Sequence, residues 1–492
     1  MKPDKISAWV LSYDVRCRAG DKNEMKTKFL SIVSLMIFAA TAAAQNRQQP
    51  NVLLVLSDDH SAAHVGAYGN ADIKTPNLDA FAKEGMRFNR AYVAAPQCVP
   101  SRAALMTGRS PVAVRMTRFS APLSEEYKTW LELLRASGYF TGVAGRSYHL
   151  DGSGNAPPET KAVFDKNHLR TFERRLDYAK QGNSLAQYRE FLDLAPKGKP
   201  FALQLCFSDP HRPLDANAIP EPHDPKKLKL PAHYPDTPGV REDFARYYDE
   251  IARFDGAFGQ VLDELKKRGL AGDTIVIFMG DNGASQFRGK GTLYEYGLNV
   301  PLLVRWPGKL KAGAVTSELI SGEDLAPTFL EACGLKPLKE MTGRSFLKLL
   351  RGETYTGRQY VFAERGAHGS GLPTGTSPFD LGRVVIGKRY KLIYNALWQL
   401  PYQPVDFAGQ PFWKELQQMH KDGKLSPDLS RLLFSPARPM FELFDLESDP
   451  SEFKNLIGSI EHAAIEGELK AALQEWMILE HDYLPLPIPP RQ

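Results

Sequence analysis

The chain has 492 residues, of which 43% are hydrophobic and 24% charged, and its formal net charge is +5 at pH 7. It is long enough for a large hydrophobic core and, on length alone, for two or more domains. The small net charge argues against nucleic acid as the main partner, so any positive patch must be local. Four cysteines are too few for a disulfide framework. Cys206 and Cys333 lie in apolar segments, which favours two buried thiols over a single bridge.

The N-terminal segment is predicted to lie outside the fold. Residues 25–28 (MKTK) are basic, residues 29–40 form a short apolar run, and residues 41–44 (TAAA) offer small side chains for cleavage. This is the layout of a secretory signal peptide at 25–44, and its apolar run is too short to cross a bilayer. Residues 1–24 match no targeting layout and are interpreted as a mis-called extension. No cysteine follows the run to carry a lipid, so we expect a secreted or periplasmic bacterial protein without a membrane anchor.

Three short apolar runs predict buried strands of a parallel sheet, and each run ends in polar residues. The runs and their polar ends are 51–56 before Ser57-Asp58-Asp59, 201–207 before Ser208-Asp209-Pro210-His211, and 274–279 before Gly280-Asp281-Asn282-Gly283. Helical patterns lie between the runs, at 77–84, 101–107, 126–137 and 241–268. This alternation predicts an α/β fold, with a doubly wound, mixed or mostly parallel sheet flanked by helices. Ligands of such sheets bind beyond the carboxyl ends of the strands, so we expect the three polar ends at one site.

The pattern changes near the C-terminus. Three short strands and an amphipathic helix are predicted there, at 382–386, 390–394, 441–444 and 462–480. These elements indicate a smaller C-terminal α+β subdomain at 356–492, built from an antiparallel sheet and a helix. It follows a catalytic domain at 50–355.

The polar ends of the first and third predicted strands offer ligands for a metal ion. Asp58, Asp59, Asp281 and Asn282 supply three carboxylates and an amide, the hard oxygen ligands that suit Ca²⁺ and, less readily, Mg²⁺. Each pair taken alone fits an ordinary turn or helix start. Carboxylates gathered at one site repel one another unless a cation lies between them. No Cys/His cluster in the sequence has the spacing of a zinc site.

Residues 98–108 (CVPSRAALMTG) form the most distinctive motif of the chain. A lone cysteine in a globular protein is usually a small buried hydrophobe. Here Pro100 suits the first turn of a helix, and Ser101 and Arg102 follow among the free backbone N–H groups of that turn, where anions bind. Cys98 is therefore predicted at an anion-binding helix start, with Arg102 one helical turn away.

Two further cations and a histidine complete the predicted site. Arg146 and Lys290, which lie in GRSYH and GKGTLYE, fit solvated surface positions when taken singly. Together with Arg102, three carboxylates and a divalent ion, they would leave a small positive charge, suited to a monoanionic ester. His211 lies at a strand end in the stiff segment DPHRP, and imidazole is the natural general acid near neutral pH. The proline-rich stretch 210–239 fits either a surface excursion or one wall of a substrate pocket.

Residues 98–108 have the form Cys-x-Pro-Ser-Arg-x-x-Leu-x-Thr-Gly and resemble the signature of the formylglycine-dependent sulfatases, which belong to the alkaline-phosphatase-like superfamily. The resemblance covers roughly residues 50–482. It implies that a maturation enzyme converts Cys98, before or during export, to formylglycine (3-oxoalanine), an aldehyde whose hydrate is the nucleophile. It also implies a metal shell completed by the oxygen derived from Cys98. The family's metal ligands match Asp58, Asp59, Asp281 and Asn282.

The same resemblance implies roles for the side chains around the metal. Arg102 matches the arginine of the signature, His211 matches the proton donor, and Lys290 matches the sulfate-binding lysine. Arg146 stands where a lysine is usual, so it keeps the charge of that position with a different geometry. His149, three residues further on, matches a histidine that would serve as the base when sulfate is expelled.

Three C-terminal stretches resemble the N-sulfoglucosamine sulfohydrolases (sulfamidases) within that family, at 391–395 (KLIYN), 400–404 (LPYQP) and 439–442 (PMFE). His368 fits either a substrate contact from the second subdomain or an ordinary loop histidine. We therefore predict hydrolysis of a sulfate ester or N-sulfate in a sulfated oligosaccharide or polysaccharide. One alternative is a phosphatase or phosphodiesterase of the alkaline-phosphatase type, which normally uses Ser or Thr and two zinc ions. The other is a non-catalytic glycan-binding relative in which Cys98 is never oxidised.

Overall fold

Eight of the described strands form one mixed sheet, and four more form a smaller antiparallel sheet. The computed structural model describes residues 49–117, 123–146, 174–175, 184–368 and 380–485. In chain order the strands are β1 (Asn51–Ser57), β2 (Met86–Phe88), β3 (Ala91–Tyr92), β4 (Phe140–Ala144), β5 (Arg174–Arg175), β6 (Phe201–Cys206), β7 (Thr274–Gly280), β8 (Leu302–Arg305), β9 (Ala314–Thr316), β10 (Ile320–Ser321), β11 (Val361–Arg365), β12 (Gly382–Ile386), β13 (Tyr390–Asn395) and β14 (Phe441–Asp445). The main sheet has the order β5-β4-β6-β1-β7-β8-β2-β9, and the smaller sheet the order β11-β12-β13-β14.

Strand β1 lies in the middle of the main sheet, in parallel pairing with β6 on one side and β7 on the other. The registers pair Leu56 with Cys206 and Ser57 with Gly280, so the three strands end at the same level. Strands β4 and β5 continue the parallel run, whereas β8 is antiparallel to both β7 and β2. The sheet is therefore mixed and mostly parallel, and the predicted α/β fold is confirmed.

Most of the predicted helical patterns match helices of the structure closely. The described α-helices are α1 (Pro76–Glu84), α2 (Cys98–Thr107), α3 (Trp130–Ala136), α4 (Ser184–Leu194), α5 (Pro238–Lys267), α6 (Glu295–Leu298), α7 (Leu325–Ala332), α8 (Leu347–Leu350), α9 (Pro411–Lys421), α10 (Pro427–Phe434) and α11 (Ala463–Leu479). The prediction at 126–137 began too early, because Thr129 caps α3. Its hydroxyl accepts a hydrogen bond from the Glu132 N–H, and the Glu132 carboxylate accepts one from the Thr129 N–H.

The side chains of β1 alternate between two hydrophobic clusters, one on each face of the main sheet. Val52, Leu54 and Leu56 pack into the cluster that includes residues of α2, α3 and α7. Leu53 and Val55 pack into the cluster that includes residues of α4 and α5. All five side chains are fully buried. Because successive strand residues point to opposite faces, helices must cover both faces, and polar groups are left to the strand ends.

The smaller sheet is antiparallel throughout, and one helix covers it. Residues of α11, including Leu473 and Trp476, share a hydrophobic cluster with Val385 of β12 and Leu392 of β13. The predicted strands and the predicted helix are confirmed, whereas β11 was not predicted. Both sheets belong to one unit that starts at Pro50, and the division at residue 355 stays a prediction.

Several predictions concern cysteines and the N-terminal segment. Cys206 and Cys333 are buried and unbridged, as the apolar segments around them indicated. The predicted extension at 1–24 and signal peptide at 25–44 lie outside the described residues, and so does His149. Among the described residues, no helix combines the length and the apolar composition that crossing a membrane requires.

Candidate active site

Two strand ends of the main sheet bring four oxygen-bearing side chains together. Asp58 and Asp59 follow β1, Asp281 and Asn282 follow β7, and all four residues are fully buried. The Asp281 N–H donates to the Ser57 carbonyl oxygen at 3.0 Å, and the Asp59 N–H donates to Asp281 Oδ1 at 3.1 Å. Asp59 has a φ of 66°, a left-handed backbone conformation that is uncommon outside glycine and is concentrated at functional sites. The structure thus places the predicted oxygen ligands in one cluster.

Cys98 is the first residue of α2 and lies against these carboxylates. Its thiol donates to Asp58 Oδ1 at 3.3 Å, and its Sγ lies 3.9 Å from Asp59 Oδ1. Burial and, after it, the negative charge of Asp58 raise the pKa of the Cys98 thiol well above its usual range. A thiol that keeps its proton is a poor nucleophile, so the unmodified side chain does not account for a reaction at this site.

The oxygen cluster fits a divalent cation. Asn282 Oδ1 is buried and has no hydrogen-bond partner in the described part of the chain, while its Nδ2 donates to Asp59 Oδ1 at 2.8 Å. Burial raises the pKa of Asp59 to about 7 and, with help from the charge of Asp58, raises that of Asp281 to about 6. Four donor atoms lie within 4.8 Å of one another, those of Asp58, Asp59, Cys98 and His211. A hard cation would add positive charge that favours the ionised form of these buried carboxylates.

Two arginines contact the carboxylates directly. Arg102 donates from Nε to Asp281 Oδ2 at 2.9 Å and from Nη2 to Asp58 Oδ2 at 3.0 Å, so it bridges the two strand ends. Its guanidinium is fully buried. Arg146 Nη1 lies 2.9 Å from Asp58 Oδ2. Burial opposes ionisation of Asp58, but Arg146 and the other cations outweigh it and hold the pKa of that carboxyl well below its usual range.

Lys290 contacts both a fully buried carboxylate and a partly exposed one. Its Nζ lies 2.9 Å from Asp59 Oδ1 and 2.7 Å from Asp406 Oδ2. The side chain of Lys290 is 1% exposed, whereas that of Asp406 is 25% exposed. We call the buried group the floor, comprising Asp58, Asp59, Cys98, Arg102, Arg146, Asp281, Asn282 and Lys290. The partly exposed group is called the mouth and comprises His211, His368 and Asp406.

His211 follows β6 and borders the floor. Its Nδ1 contacts the Arg212 carbonyl oxygen, and its Nε2 lies 4.0 Å from Asp59 Oδ2 and 3.7 Å from Asp406 Oδ2. Burial and, after it, the charge of Lys290 lower the pKa of His211 to about 4. The imidazole is therefore neutral at pH 7 in the free protein. An anion bound against Nε2 would favour the protonated form.

The first part of the proline-rich stretch 210–239 lines one side of a cavity of about 710 Å³, through His211, Pro213, Ala218, Ile219 and Pro220. Two of its side chains, Leu228 and Tyr234, are buried in a hydrophobic cluster with residues of α5 and α9. Most other residues between 215 and 232 are exposed or half-buried, so the stretch is anchored at a few points and otherwise runs over the surface. Its role as one wall of a substrate pocket stays a prediction.

Asp406 is the residue of the mouth that the sequence analysis missed. It lies in the irregular segment between β13 and α9, in no motif, and has a φ of 65°. Its Oδ1 lies 3.3 Å from Nε2 of His368, and Gln97 Nε2 lies 3.2 Å from Nδ1 of that histidine. Burial opposes ionisation of Asp406, but Lys290 and then His368 hold the pKa of its carboxyl far below the usual range. The predicted candidate His368 is thus brought to the site, next to a carboxylate that no local sequence signal marks.

A glycine allows the Asp406 segment to approach Lys290. Gly291 has a φ of 77°, and a Cβ atom at this position would lie 2.5 Å from Val405 Cγ2. Ser285 Oγ donates to the Val405 carbonyl oxygen at 3.2 Å. Residue 291 must therefore be glycine, both for its backbone conformation and for this close contact. The contact sets Asp406 beside Lys290.

Comparison with known families identifies the class of this protein. The Sulfatase family model matches residues 50–335, which is more than half of the chain, so the chain belongs to the sulfatase family. A second family model, described as N-sulphoglucosamine sulphohydrolase, C-terminal, matches residues 283–424. This second match contains Lys290, His368 and Asp406. The predicted family and the predicted subgroup likeness are both confirmed.

The chain is similar to curated relatives over most of its length. It is 28% identical to an ulvan-active sulfatase of Formosa agariphila over 477 residues, which cover 89% of this chain and 76% of the relative. It is 29% identical to human N-sulphoglucosamine sulphohydrolase over 476 residues, which cover 88% of this chain and 90% of the relative. It is 33% identical to human arylsulfatase A over 380 residues, which cover 66% of this chain and 73% of the relative.

Solved structures share the fold. A protein solved in complex with D-glucosamine-2-N,6-O-disulfate has a TM-score of 0.65 at 19% identity and covers 89% of this chain and 99% of its own. A phosphonate monoester hydrolase of Agrobacterium radiobacter has a TM-score of 0.67 at 21% identity and covers 88% and 96%. Likeness at this level of identity extends to the fold alone.

Proposed function

We propose that this sulfatase removes sulfate from a sulfated saccharide at the site formed by the floor and the mouth. One observation carries the proposal. Cys98, in the family's signature, lies 3.3 Å from a carboxylate of an oxygen cluster that fits a divalent cation. Around this cluster stand three buried cations, and Nη1 of one of them, Arg102, has no hydrogen-bond partner in the described part of the chain. Such a donor set suits an anionic ester.

The oxygen-bearing side chains of the floor are proposed to hold Ca²⁺, with Mg²⁺ less favoured. Carboxylate and amide oxygens are the ligands that Ca²⁺ prefers, and Asp58, Asp59, Asp281 and Asn282 supply them. Once bound, the ion would supply positive charge to the sulfate oxygens. Arg102 keeps two of the carboxylates in place through its bonds to Asp58 and Asp281.

Cys98 is proposed to be the precursor of formylglycine, whose hydrate would supply the nucleophile. The raised pKa of the thiol supports this assignment, because the unmodified residue would carry no thiolate at neutral pH. Only 1% of Cys98 is exposed in the folded chain, so a maturation enzyme would have to act before folding. Arg146 and Lys290, which contact Asp58 and Asp59, are proposed to attract the sulfate oxygens.

His211 is proposed to protonate the leaving group from Nε2. Burial and Lys290 keep its imidazole neutral in the free protein at pH 7. A bound anionic ester acts in the opposite direction and raises that pKa, so we expect proton uptake to accompany substrate binding. His149, outside the described residues, is proposed as the base in the second half of the reaction. His368, at the mouth, is proposed as a substrate contact.

The substrate is proposed to be a sulfated oligosaccharide or polysaccharide, cut at an O-sulfate or an N-sulfate. Two relatives support this class by name, the ulvan-active sulfatase and N-sulphoglucosamine sulphohydrolase. The signal-like segment at 25–44 supports export, so the substrate is expected outside the cell or in the periplasm.

The test is a sulfate-release screen with matured protein. The protein is produced together with a formylglycine-generating enzyme, and the mass of the peptide containing Cys98 is measured to give the fraction of aldehyde. Free sulfate is then quantified with heparan, chondroitin and ulvan oligosaccharides and with N-sulfated glucosamine. Aryl sulfate and aryl phosphate are compared at the same pH. The Cys98→Ala variant serves as the matched control.

The proposal predicts sulfate release from at least one saccharide, and none from the Cys98→Ala variant. Faster turnover of aryl phosphate than of aryl sulfate would support the phosphatase alternative instead. A free thiol in protein from the native host, with saccharide binding but no sulfate release, would support the glycan-binding alternative. Protein rich in formylglycine that releases no sulfate from any compound would contradict the proposal.

A further inference from the structure

Asp406 contacts the buried floor through Lys290 and is itself partly exposed. The side chains of Asp59 and Lys290 are 0% and 1% exposed, whereas those of His211 and Asp406 are 22% and 25% exposed. A sulfate that reaches the floor must therefore leave the rest of its molecule beside the mouth. The mouth residue with the largest exposed fraction is a carboxylate.

This carboxylate is fixed on two sides. Lys290 Nζ lies 2.7 Å from Oδ2, and His368 Nε2 lies 3.3 Å from Oδ1. Gln97, which precedes Cys98 in the chain, contacts the other nitrogen of His368 at 3.2 Å. A carboxylate has about four lone-pair positions, so each oxygen of Asp406 retains acceptor capacity beyond these contacts. Ionised Asp406 can only accept hydrogen bonds.

Asp406 lies close to the atom of His211 that is proposed to protonate the leaving group. His211 Nε2, the atom proposed to protonate the leaving oxygen, lies 3.7 Å from Asp406 Oδ2. A leaving oxygen within hydrogen-bond distance of Nε2 therefore lies close to the Asp406 carboxylate. The substituent on the neighbouring carbon of the substrate would face that carboxylate.

We propose that Asp406 is a specificity residue that accepts a hydrogen bond from a hydroxyl or amino group on the carbon next to the sulfated one. The same charge disfavours a second sulfate or a carboxylate at that neighbouring position, because like charges repel at short range. The preferred substrate is thus a saccharide in which the scissile sulfate has a hydrogen-bond donor as its neighbour. This inference rests on the proposed sulfatase function and specifies the surroundings of the sulfate.

The test compares two aryl sulfates that differ at the neighbouring position. The 4-nitrocatechol sulfate carries a hydroxyl beside the sulfate, whereas 4-nitrophenyl sulfate carries none. Both are measured at about pH 5, where this hydroxyl, which a para nitro group acidifies, keeps its proton and can donate. The ratio of their kcat/KM values is measured for the wild-type enzyme, Asp406→Ala and Asp406→Asn. Asp428→Asn is the control, because Asp428 is an exposed aspartate paired with Arg431 in α10. Each compound is also measured as a competitive inhibitor of the saccharide found in the screen.

We expect the ratio to fall about tenfold to a hundredfold in Asp406→Ala, the range for one hydrogen bond to a charged group. In Asp406→Asn, turnover of 4-nitrocatechol disulfate relative to the monosulfate should rise at least fivefold. Asp428→Asn should leave both ratios unchanged. An equal loss on the two monosulfates in Asp406→Ala would overturn the inference and leave Asp406 as a support for Lys290. Formylglycine-bearing wild-type protein that is inactive on every compound would instead count against the proposed function itself.

Discussion

Two buried lysines hold nearly the same local arrangement in two regions of this molecule. Lys290 of the floor lies 2.9 Å from Asp59 and 2.7 Å from Asp406. Lys391 of the smaller sheet lies 2.7 Å from Glu295 and 2.8 Å from Glu452. At most 1% of either lysine side chain is exposed. A buried lysine between two carboxylates therefore does not by itself mark a functional site.

The neighbours of the two lysines make the difference. Beside Lys290 lie an amide oxygen without a hydrogen-bond partner in the described residues, on Asn282, and a buried cysteine in a family signature. Beside Lys391, the Glu452 carboxylate also accepts a hydrogen bond from the Glu295 N–H and so ties two chain segments together. We interpret Lys290 as part of a site that binds and reacts, and Lys391 as part of the framework.

The largest effect on activity is expected from substitutions of Cys98. The formylglycine derived from it would supply the nucleophile of the site that contains Lys290. Cys98→Ser leaves a single oxygen, and Cys98→Ala leaves none, so neither provides the two hydroxyls of a hydrated aldehyde. Multiple-turnover sulfate release should fall at least about 10⁴-fold in both variants. Cys333→Ala, which removes another buried thiol, should stay within about threefold of wild type. Full turnover by Cys98→Ser would refute the proposed nucleophile.

The comparison of the two lysines is tested directly by Lys290→Met and Lys391→Met. Lys290→Met should lower kcat/KM about 100- to 1,000-fold, because a charge aimed at the developing anion contributes about 3–4 kcal/mol. Lys391→Met should lower the free energy of unfolding by about 3–5 kcal/mol, because it removes the cation that pairs with buried Glu452 and half-buried Glu295, while its kcat/KM changes little. The measurements are steady-state kinetics and urea unfolding of both variants. If both variants lose mainly stability, the distinction between the two lysines is wrong.

Metal binding is a second test of the difference between the floor and the surroundings of Lys391, and its expected effect is smaller. Chelator-treated protein should gain thermal stability when Ca²⁺ is added, by about 2.7 kcal/mol at a concentration 100 times the Kd. Asn282→Leu should lose most of this gain, whereas Lys391→Met should keep it. The melting temperature with and without each ion is the measurement. A larger gain in stability from Mg²⁺ than from Ca²⁺ would mean that the proposed ion is magnesium. An undiminished gain in Asn282→Leu would mean that the ion binds at a different site.

The smallest effect concerns a buried carboxyl of the smaller sheet. Burial raises the pKa of Glu364 from 4.5 to about 7, despite nearby Arg383. As pH rises from 4.5 to 7, the unfolded chain loses this proton before the folded chain does, so the stability contributed by Glu364 falls over that window. Glu364→Gln should remove about 2 kcal/mol of the stability difference between pH 5 and pH 7. Urea unfolding at pH 5 and pH 7 measures it, and an unchanged slope would contradict the assignment.

The floor could be predicted because its residues follow local rules. Continuous apolar runs of six or seven residues indicate buried parallel strands, and polar residues at their ends must converge when the strands pair in register. The prediction of Asp58, Asp59, Asp281 and Asn282 as neighbours rested on this rule, and the family resemblance supported it. Cys98 was recognised from its motif. The two-residue strands β3, β5 and β10 carry too few residues to show any periodicity and were missed.

The mouth could not be predicted in the same way. Asp406 meets Lys290 only because the irregular segment after β13 folds against residues 285–291, which follow β7, and such a contact leaves no periodic pattern in the sequence. His368 was noticed, but its two alternatives could not be separated without knowing that Asp406 and Gln97 lie against it. Helices α9 and α10, which follow that segment, were missed as well.

The fit between Gly291 and Val405 links substrate choice to a residue that meets no substrate. Any side chain at residue 291 would strain a backbone with a φ of 77° and would meet Val405 Cγ2 at 2.5 Å. The strain would fall on Lys290, its neighbour in the chain, and the clash on the segment that carries Asp406. Residue 291 therefore ties the choice of substrate to catalytic competence, because one change there would disturb Lys290 and the mouth together.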